Sequence, residues 1–440
     1  MIESIRIANY KSIKEMSFDP KRINLFIGEN GAGKSNILEC LAIFSAATSN
    51  MLSNEFLSSR GIRPIDPLTT ITKLAITDED EESNEKKGDE DDQPKFSIFA
   101  KLDNFYIGVV AFHDQEDPYR QLKAEIFTPR PEQEPASYLL SEESLTNKES
   151  LLKKDLFKIF SQINKDFGSI EDLNDLYSSE LYEITKETAP NKIERLEELR
   201  RNLYFVQKSI GLLNNLENKK TSKENFVIFN PDTYVLMGGK GQSYIQPLGI
   251  NGEGLFTLLG VMAKTEPENF KDVIELASIF NWLEKIEVIE NVNNEIEIVL
   301  KDRFMGDVIK PHNANEGFLF TLFYACLFCS NQTPSVFAVE NIDKSLNPRL
   351  CQILIRKLAD KAKKHNKQVF LSTHNPAVLD GIDLLDPEET IFVIDRKYNG
   401  ETRLRELTEK NIPKPKKDGE KIHLSEAFLR GYLGGLPSNF

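Results

Sequence analysis

Gly28-Glu29-Asn30-Gly31-Ala32-Gly33-Lys34-Ser35 constrains this chain more than any other segment. Before it, Ile23-Asn24-Leu25-Phe26-Ile27 reads as a short buried strand, and after it Asn36 to Phe44 has apolar residues at helical spacing. The pattern G-x-x-x-x-G-K-S between a strand and a helix is a phosphate loop. Small residues let the backbone wrap closely, so that its N–H groups and the helix N-terminus face a β-phosphate. Lys34 adds a cation to the β- and γ-phosphates, and the Ser35 hydroxyl is of the type that ligates Mg²⁺. Gly28, Glu29, Asn30, Gly31, Ala32, Gly33 and, just beyond, Asn36 complete the candidate nucleotide site. The competing reading, a glycine-rich turn without a ligand, has to be weighed against the second half of the chain.

That half supplies the partners a phosphate loop needs. Ser335-Val336-Phe337-Ala338-Val339-Glu340 is an apolar strand ending in a carboxylate, the group required opposite Ser35 to hold a Mg²⁺ water shell. Asn341 to Pro348 follows, and then a second apolar strand, Val369-Phe370-Leu371, leads into Ser372-Thr373-His374-Asn375. A lone histidine after a strand is ordinarily a loop residue. Standing after the strand that follows the carboxylate, His374 is placed to sense a γ-phosphate.

Four blocks carry a resemblance to a known family: Ile5-Arg-Ile-Ala-Asn-Tyr-Lys-Ser-Ile13, Gly28–Ser35, Glu340–Pro348 and Ser372–Pro376. Together they resemble the ABC-type ATPases of the RecF, SMC and OLD group, and most of all the single-chain AAA-type ATPases of bacterial phage-defence and abortive-infection operons. The resemblance covers about 1–130 and 226–440. It implies that Gly28–Ser35 is Walker A, Glu340 the Walker B carboxylate, Asn347-Pro348 a dimer-facing loop and His374 the switch histidine. It implies an α/β ABC-type head, a mixed sheet with flanking helices and an antiparallel lobe, which binds ATP and Mg²⁺ through Ser35 and Glu340.

Two departures from the family matter. The Leu-Ser-Gly-Gly-Gln signature is missing, and its best substitute is Asn315-Glu316-Gly317, opening the apolar helix Phe318–Cys329. A helix N-terminus there is suited to the γ-phosphate of a nucleotide held by a second copy; a plain N-cap by Asn315 has the same geometry. Asn251-Gly252-Glu253-Gly254 is a weaker loop candidate. The second departure is Asn341, where relatives usually carry the water-activating Glu. An amide cannot accept a proton as a general base, so turnover is expected to be slow or to use another carboxylate, Asp343 first and Glu340 second. Slow turnover suits a switch better than a motor.

The rest of the chain divides by character. The expected domains are 1–136 as the N-terminal part of the head, 137–225 as a helical insertion rich in Glu, Lys, Leu and Asn, and 226–440 as the C-terminal part. Phe96 to Leu102, Phe105 to Phe112 and Gln121 to Phe127 look like a meander, and Ile286 to Glu290 with Ile296 to Leu300 like a hairpin. The run from Asp78 to Asp92 holds ten acidic residues and two lysines and reads as a solvated loop. Lys361, Lys363, Lys364 and Lys367, and Lys414, Lys416 and Lys417, read as solvated faces, and Cys326 and Cys329 as core packing rather than a metal pair. The apolar segment from Leu424 to Phe440 is expected to dock.

Composition removes several classes of function. With 55 Lys and Arg against 69 Asp and Glu, the net charge of −14 excludes a chain-wide basic surface, so any DNA contact would be local. Four cysteines, no apolar run of membrane-spanning length and no leader pattern point to a cytoplasmic protein with no membrane partner. About 65 residues follow the His374 block, too few for the nuclease domain of OLD-type proteins. The expectation is thus a switch ATPase that pairs head-to-head with a second copy and controls a separately encoded effector, a nuclease or toxin, in antiviral defence. The runner-up is a RecF- or SMC-like repair ATPase acting on DNA, and the third reading is an ATP-dependent nuclease.

Overall fold

Burial follows the sequence pattern strand by strand in the computed structural model. Ile2–Tyr10 (β1) and Ile13–Phe18 (β2) mix buried and open positions, whereas all five residues of Ile23–Ile27 (β3) are buried. A strand buried at every position has cover on both faces, and its one polar residue, Asn24, is satisfied by donating to the carbonyls of Lys21 and Val369 at 2.8 and 3.0 Å. The structure describes residues 1–49, 51–62, 70, 95–102, 105–113, 122–127, 226–239, 241, 247–290, 296–306, 308–408, 410 and 423–435. Contacts divide the chain into two units, Met1–Thr128 with Ser222–Phe440, and Pro129–Thr221. The second unit, with nearly all of the expected helical insertion at 137–225, lies outside the described residues, as do the acidic run and Lys414, Lys416 and Lys417.

Three sheets organise the described residues of the first unit. Lys95–Leu102 (β4), Phe105–His113 (β5) and Leu122–Phe127 (β6) form the expected meander, which joins the β1–β2 hairpin in an antiparallel sheet of order β2-β1-β4-β5-β6. The second sheet has six strands. Val227–Phe229 (β7), Val336–Val339 (β11), Gln368–Thr373 (β12), β3 and Glu389–Arg396 (β13) run parallel in that spatial order, and Thr402–Glu406 (β14) closes the edge antiparallel to β13. Leu283–Glu290 (β8) and Ile296–Asp302 (β9) make the expected hairpin, extended by Val308–Ile309 (β10). The chain is therefore α/β, with a mixed sheet, an antiparallel sheet and flanking helices.

The strand faces explain the core. Phe18 of β2 meets Phe26 of β3 and Phe392 of β13 at ring-centroid separations of 6.0 and 5.2 Å. Each such buried ring contributes roughly 2–3 kcal/mol over its exposed state. The other face of β3, Ile23, Leu25 and Ile27, belongs to a core shared with Leu255–Thr265 (α2), Pro267–Ala277 (α3), Glu316–Cys329 (α4) and Pro348–Lys364 (α5); Lys34–Thr48 (α1) follows the phosphate loop. In α4 every residue from Phe318 to Cys329 is buried, as a helix apolar on all sides requires. Cys326 and Cys329 pack inside it as expected, and burial pushes the Cys329 thiol up to about 12. No helix among the described residues is long and apolar enough to cross a membrane.

One expectation is corrected. Of the four lysines read as a solvated face, only Lys364 is exposed; Lys361 and Lys367 are buried and Lys363 is partly buried. Lys361 Nζ donates to Asp272 Oδ1 at 2.8 Å and Glu275 Oε2 at 2.5 Å, and Lys364 Nζ also reaches Asp272 at 2.8 Å. Lys363 Nζ bonds Asp386 and Glu389 at 2.6 and 2.7 Å. Lys367 is 3% exposed, its ammonium enclosed by the carbonyls of Ser330, Thr333 and Pro334. Helical periodicity places Lys361 and Lys364 on one polar face; it does not show that acidic residues of α3 pack beside them. The C-terminal segment does dock: Ser425 Oγ donates to Asp380 Oδ2 at 2.6 Å, and Phe428 and Leu433 are buried.

Candidate functional site

The loop Gly28–Gly33 leaves the C-terminal end of β3 and enters α1 at Lys34. Two glycines are dictated by close approach. A Cβ on Gly28 would lie 2.0 Å from the Ile394 carbonyl oxygen, and one on Gly33, whose φ is +109°, 2.3 Å from Thr402 Oγ1. Asn30 and Gly31 form the exposed tip of the loop, while Ala32 is buried beneath it.

A chain of hydroxyls braces the loop from below. Asn36 Nδ2 donates to Ser12 Oγ at 2.8 Å, Ser12 Oγ lies 2.7 Å from Thr402 Oγ1, and Thr402 Oγ1 donates to the Ala32 carbonyl at 2.9 Å. Because Ala32 O can only accept, the protons all point the same way, from Asn36 toward the loop. Sequence reasoning did not assign Ser12 or Thr402. Ser12 belongs to the opening motif, a usable signal; Thr402 stands on an edge strand with nothing in its neighbourhood to mark it.

Lys34 is 6% exposed, and its Nζ donates to the carbonyls of Gly28 and Glu29, both at 2.8 Å. Burial lowers its ammonium to about 8, opposed by the charges of Glu29, Glu340 and Asp343. His374 Nδ1 stands 3.3 Å from Lys34 Nζ and 3.1 Å from Gly28 O. That nitrogen either accepts from the ammonium or donates to the carbonyl, not both. Burial first, and then the Lys34 charge, lower the imidazole's proton affinity and favour its neutral form.

The carboxylates arrive from β11. Ser35 Oγ donates to Glu340 Oε1 at 2.5 Å, a contact that spans 305 positions of sequence. Asn341 turns away from the strand with φ +53°, a left-handed conformation that asparagine tolerates. Its N–H donates to Ser372 Oγ at 3.2 Å. Asp343 Oδ1 accepts from Thr373 Oγ1 at 2.6 Å. The ends of β3, β11 and β12 thereby bring Gly28, Glu29, Lys34, Ser35, Glu340, Asp343 and His374 to one end of the parallel sheet, where ligands bind in open α/β sheets.

Asn315 and Gly317 are placed differently. The Asn315 side-chain oxygen accepts from Phe318 N–H at 2.9 Å as the N-cap of α4. A Cβ on Gly317 would meet the Ser345 carbonyl at 3.2 Å, and Ser345 Oγ donates to Glu316 Oε2 at 3.0 Å. The start of α4 therefore packs on the turn that follows Asp343, not on the phosphate loop. In the Asn251–Gly254 loop, Gly252 and Gly254 both have positive φ, Glu253 Oε2 accepts from Asn251 N–H at 3.0 Å, and the Asn251 carbonyl accepts from Asp232 N–H at 2.9 Å, which ties the turn to the segment after β7.

Comparison with known proteins gives three results. The model of a family described as "AAA domain, putative AbiEii toxin, Type IV TA system" matches residues 23–380. The DNA replication and repair protein RecF of Lysinibacillus sphaericus is 39% identical over 56 residues, 12% of this chain and 15% of that protein. The ATP/GTP phosphatase of Helicobacter pylori is 36% identical over 74 residues, 17% of this chain and 20% of that protein, so the chain spans at most a fifth of either relative's length. Among solved structures, the SMC head bound to the C-winged helix domain of ScpA has a TM-score of 0.49 at 12% identity, covering 93% of this chain and 98% of that one. The SMC head domain from Thermotoga maritima has a TM-score of 0.40 at 10% identity, covering 92% and 98%.

Proposed function

This chain belongs to the AAA-domain family of that description, and from that premise we propose a slowly hydrolysing switch ATPase of the SMC and RecF type. One observation carries the reading: Ser35 Oγ meets Glu340 Oε1 at 2.5 Å while Lys34 Nζ lies 3.3 Å from His374. Four groups from three distant parts of the chain, of the types that clamp a triphosphate, converge at one loop.

ATP is held by the N–H groups of Gly28–Ser35 and by Lys34 on the β- and γ-phosphates. Ser35 and Glu340 offer hard oxygen donors at one point, a donor set that suits Mg²⁺ with its retained waters. Held by Ser35 and Glu340, such an ion would supply charge neutralisation for the phosphate oxygens. His374 faces the γ-phosphate as a hydrogen-bond donor. Asn341 cannot take a proton, so Asp343 serves as the base. It accepts a proton from water as that oxygen bonds to the γ-phosphorus, and the bond to the β–γ bridging oxygen breaks with its electron pair leaving on ADP.

The domain reading is proposed with it: 1–136 and 226–440 as the head, 137–225 as a helical insertion. In the bound state a second copy faces the Asn315–Gly317 helix start and the Asn347-Pro348 turn. The γ-phosphate then favours pairing through contacts that ADP lacks. A separately encoded nuclease or toxin is the controlled effector, in the cytoplasm, as part of antiviral defence. The match to RecF supports a second reading, action on DNA.

Phosphate-release and binding assays test this directly. Lys34→Ala is expected to weaken ATP uptake at least about a hundredfold, and Asp343→Asn to leave uptake intact while lowering turnover about a hundredfold. Rapid steady-state turnover untouched by Asp343→Asn and Glu340→Gln overturns the assignment. Stimulation of turnover by DNA moves the reading to the repair class.

A further inference from the structure

We propose that Thr373 is a positioning residue for hydrolysis, aiming the Asp343 carboxylate at the attacking water; the inference rests on Asp343 being the base. Thr373 is the last residue of β12, fully buried, and pairs across the sheet with Ile27, the residue before the phosphate loop. Its hydroxyl has one proton to give. Asn375 N–H donates into the oxygen at 2.9 Å, and the Asn375 carbonyl stands off at 3.5 Å, whereas Asp343 Oδ1 lies at 2.6 Å. The proton therefore goes to the carboxylate, at the length of a charge-assisted O–H···O⁻ bond. With Oδ1 held, Oδ2 is the oxygen left to take a proton.

The arrangement exceeds what stability asks of this threonine. Asp343 is half-buried and open to water, so its ionised form does not need a buried hydroxyl to be tolerated. A branched side chain on a strand, with its oxygen pinned by Asn375 N–H, fixes the carboxylate's orientation instead. The neighbouring residues behave alike: Ser372 Oγ accepts from Asn341 N–H, and His374 Nδ1 stands against Lys34. Ser372, Thr373 and His374 thus each hold one part of the site, namely the carboxylate turn's backbone, its base and the phosphate loop's cation.

Steady-state kinetics on the full chain tests the proposal with Thr373→Val, Thr373→Ser and Asp343→Asn, alone and combined. Thr373→Val is expected to lower kcat about tenfold with KM for ATP within about twofold, the size of one charge-assisted hydrogen bond lost in orientation. Thr373→Ser keeps the hydroxyl and should recover most of the loss. On the Asp343→Asn background, Thr373→Val should cost nothing further, because both act through one group. Unchanged kcat in Thr373→Val beside a crippled Asp343→Asn overturns the inference and leaves the base in place. The same loss on both backgrounds also overturns it. Full activity in Asp343→Asn removes the base, and the inference with it.

Discussion

At the scale of residues, the site depends on atoms that leave no room for alternatives. Gly33 carries no side chain because Thr402 Oγ1 occupies the place where one would begin, and that same hydroxyl donates to Ala32 O. Thr402→Val is nearly isosteric but leaves a buried carbonyl and the Ser12 proton unmatched. It should weaken ATP binding by about five- to tenfold, in line with about 1–1.5 kcal/mol for one such bond. Titration calorimetry against a non-hydrolysable ATP analogue measures this, and an unchanged affinity would show that the brace does not shape the loop. The phosphate loop itself was legible because its residues are contiguous and its strand and helix adjoin it. Ser12 and Thr402 were not, since 390 positions separate two hydroxyls that touch.

Elements are joined by charge as well as by apolar packing. Between α3 and α5, the Asp272 carboxylate accepts from Lys361, Lys364 and His365. Burial raises its proton affinity, but the bonds from these three outweigh that, and its pKa falls to about 2 from 3.8. A carboxylate lowered on folding stabilises the fold above its unfolded value and loses that contribution as pH falls through the folded one. Wild type should exceed Asp272→Asn in stability by about 2 kcal/mol near neutral pH, the difference shrinking from pH 4 to pH 2. Urea denaturation across that range is the measurement, and a constant difference would assign the effect to packing. Lys367 makes a second prediction at this scale. Its ammonium binds three carbonyls between the end of α4 and the start of β11, so Lys367→Met should destabilise by about 2–4 kcal/mol through orphaned acceptors.

At the scale of the whole molecule, ATP and ADP differ by one phosphoryl group, and only contacts to that group can move an equilibrium between one copy and two. A nearly non-hydrolysing Asp343→Asn chain is expected to sediment as a pair with ATP and as a single copy with ADP. Equal sedimentation in both nucleotides would remove the second copy from the mechanism. A shift of roughly tenfold in the pairing constant needs about 1.4 kcal/mol of extra contact, within reach of one or two hydrogen bonds to a charged oxygen. The start of α4 is the element to watch, since it already packs on the turn after Asp343 and would transmit a movement of that turn.

By itself the amino-acid order determined the parts that are local. It specified a strand, a glycine loop and a helix in direct succession, a carboxylate at one strand's end, a histidine at the next, and an apolar helix that had to be buried. These follow from periodicity and short-range sterics, which act between residues a few positions apart. Tertiary structure alone decided which groups meet: Ser35 with Glu340, Thr373 with Asp343, Ser12 with Thr402, and the lysines of α5 with the acids of α3. Hydrogen bonds and ion pairs reach only about 3 Å, and which atoms come that close depends on how sheets and helices pack, information no spacing along the chain contains.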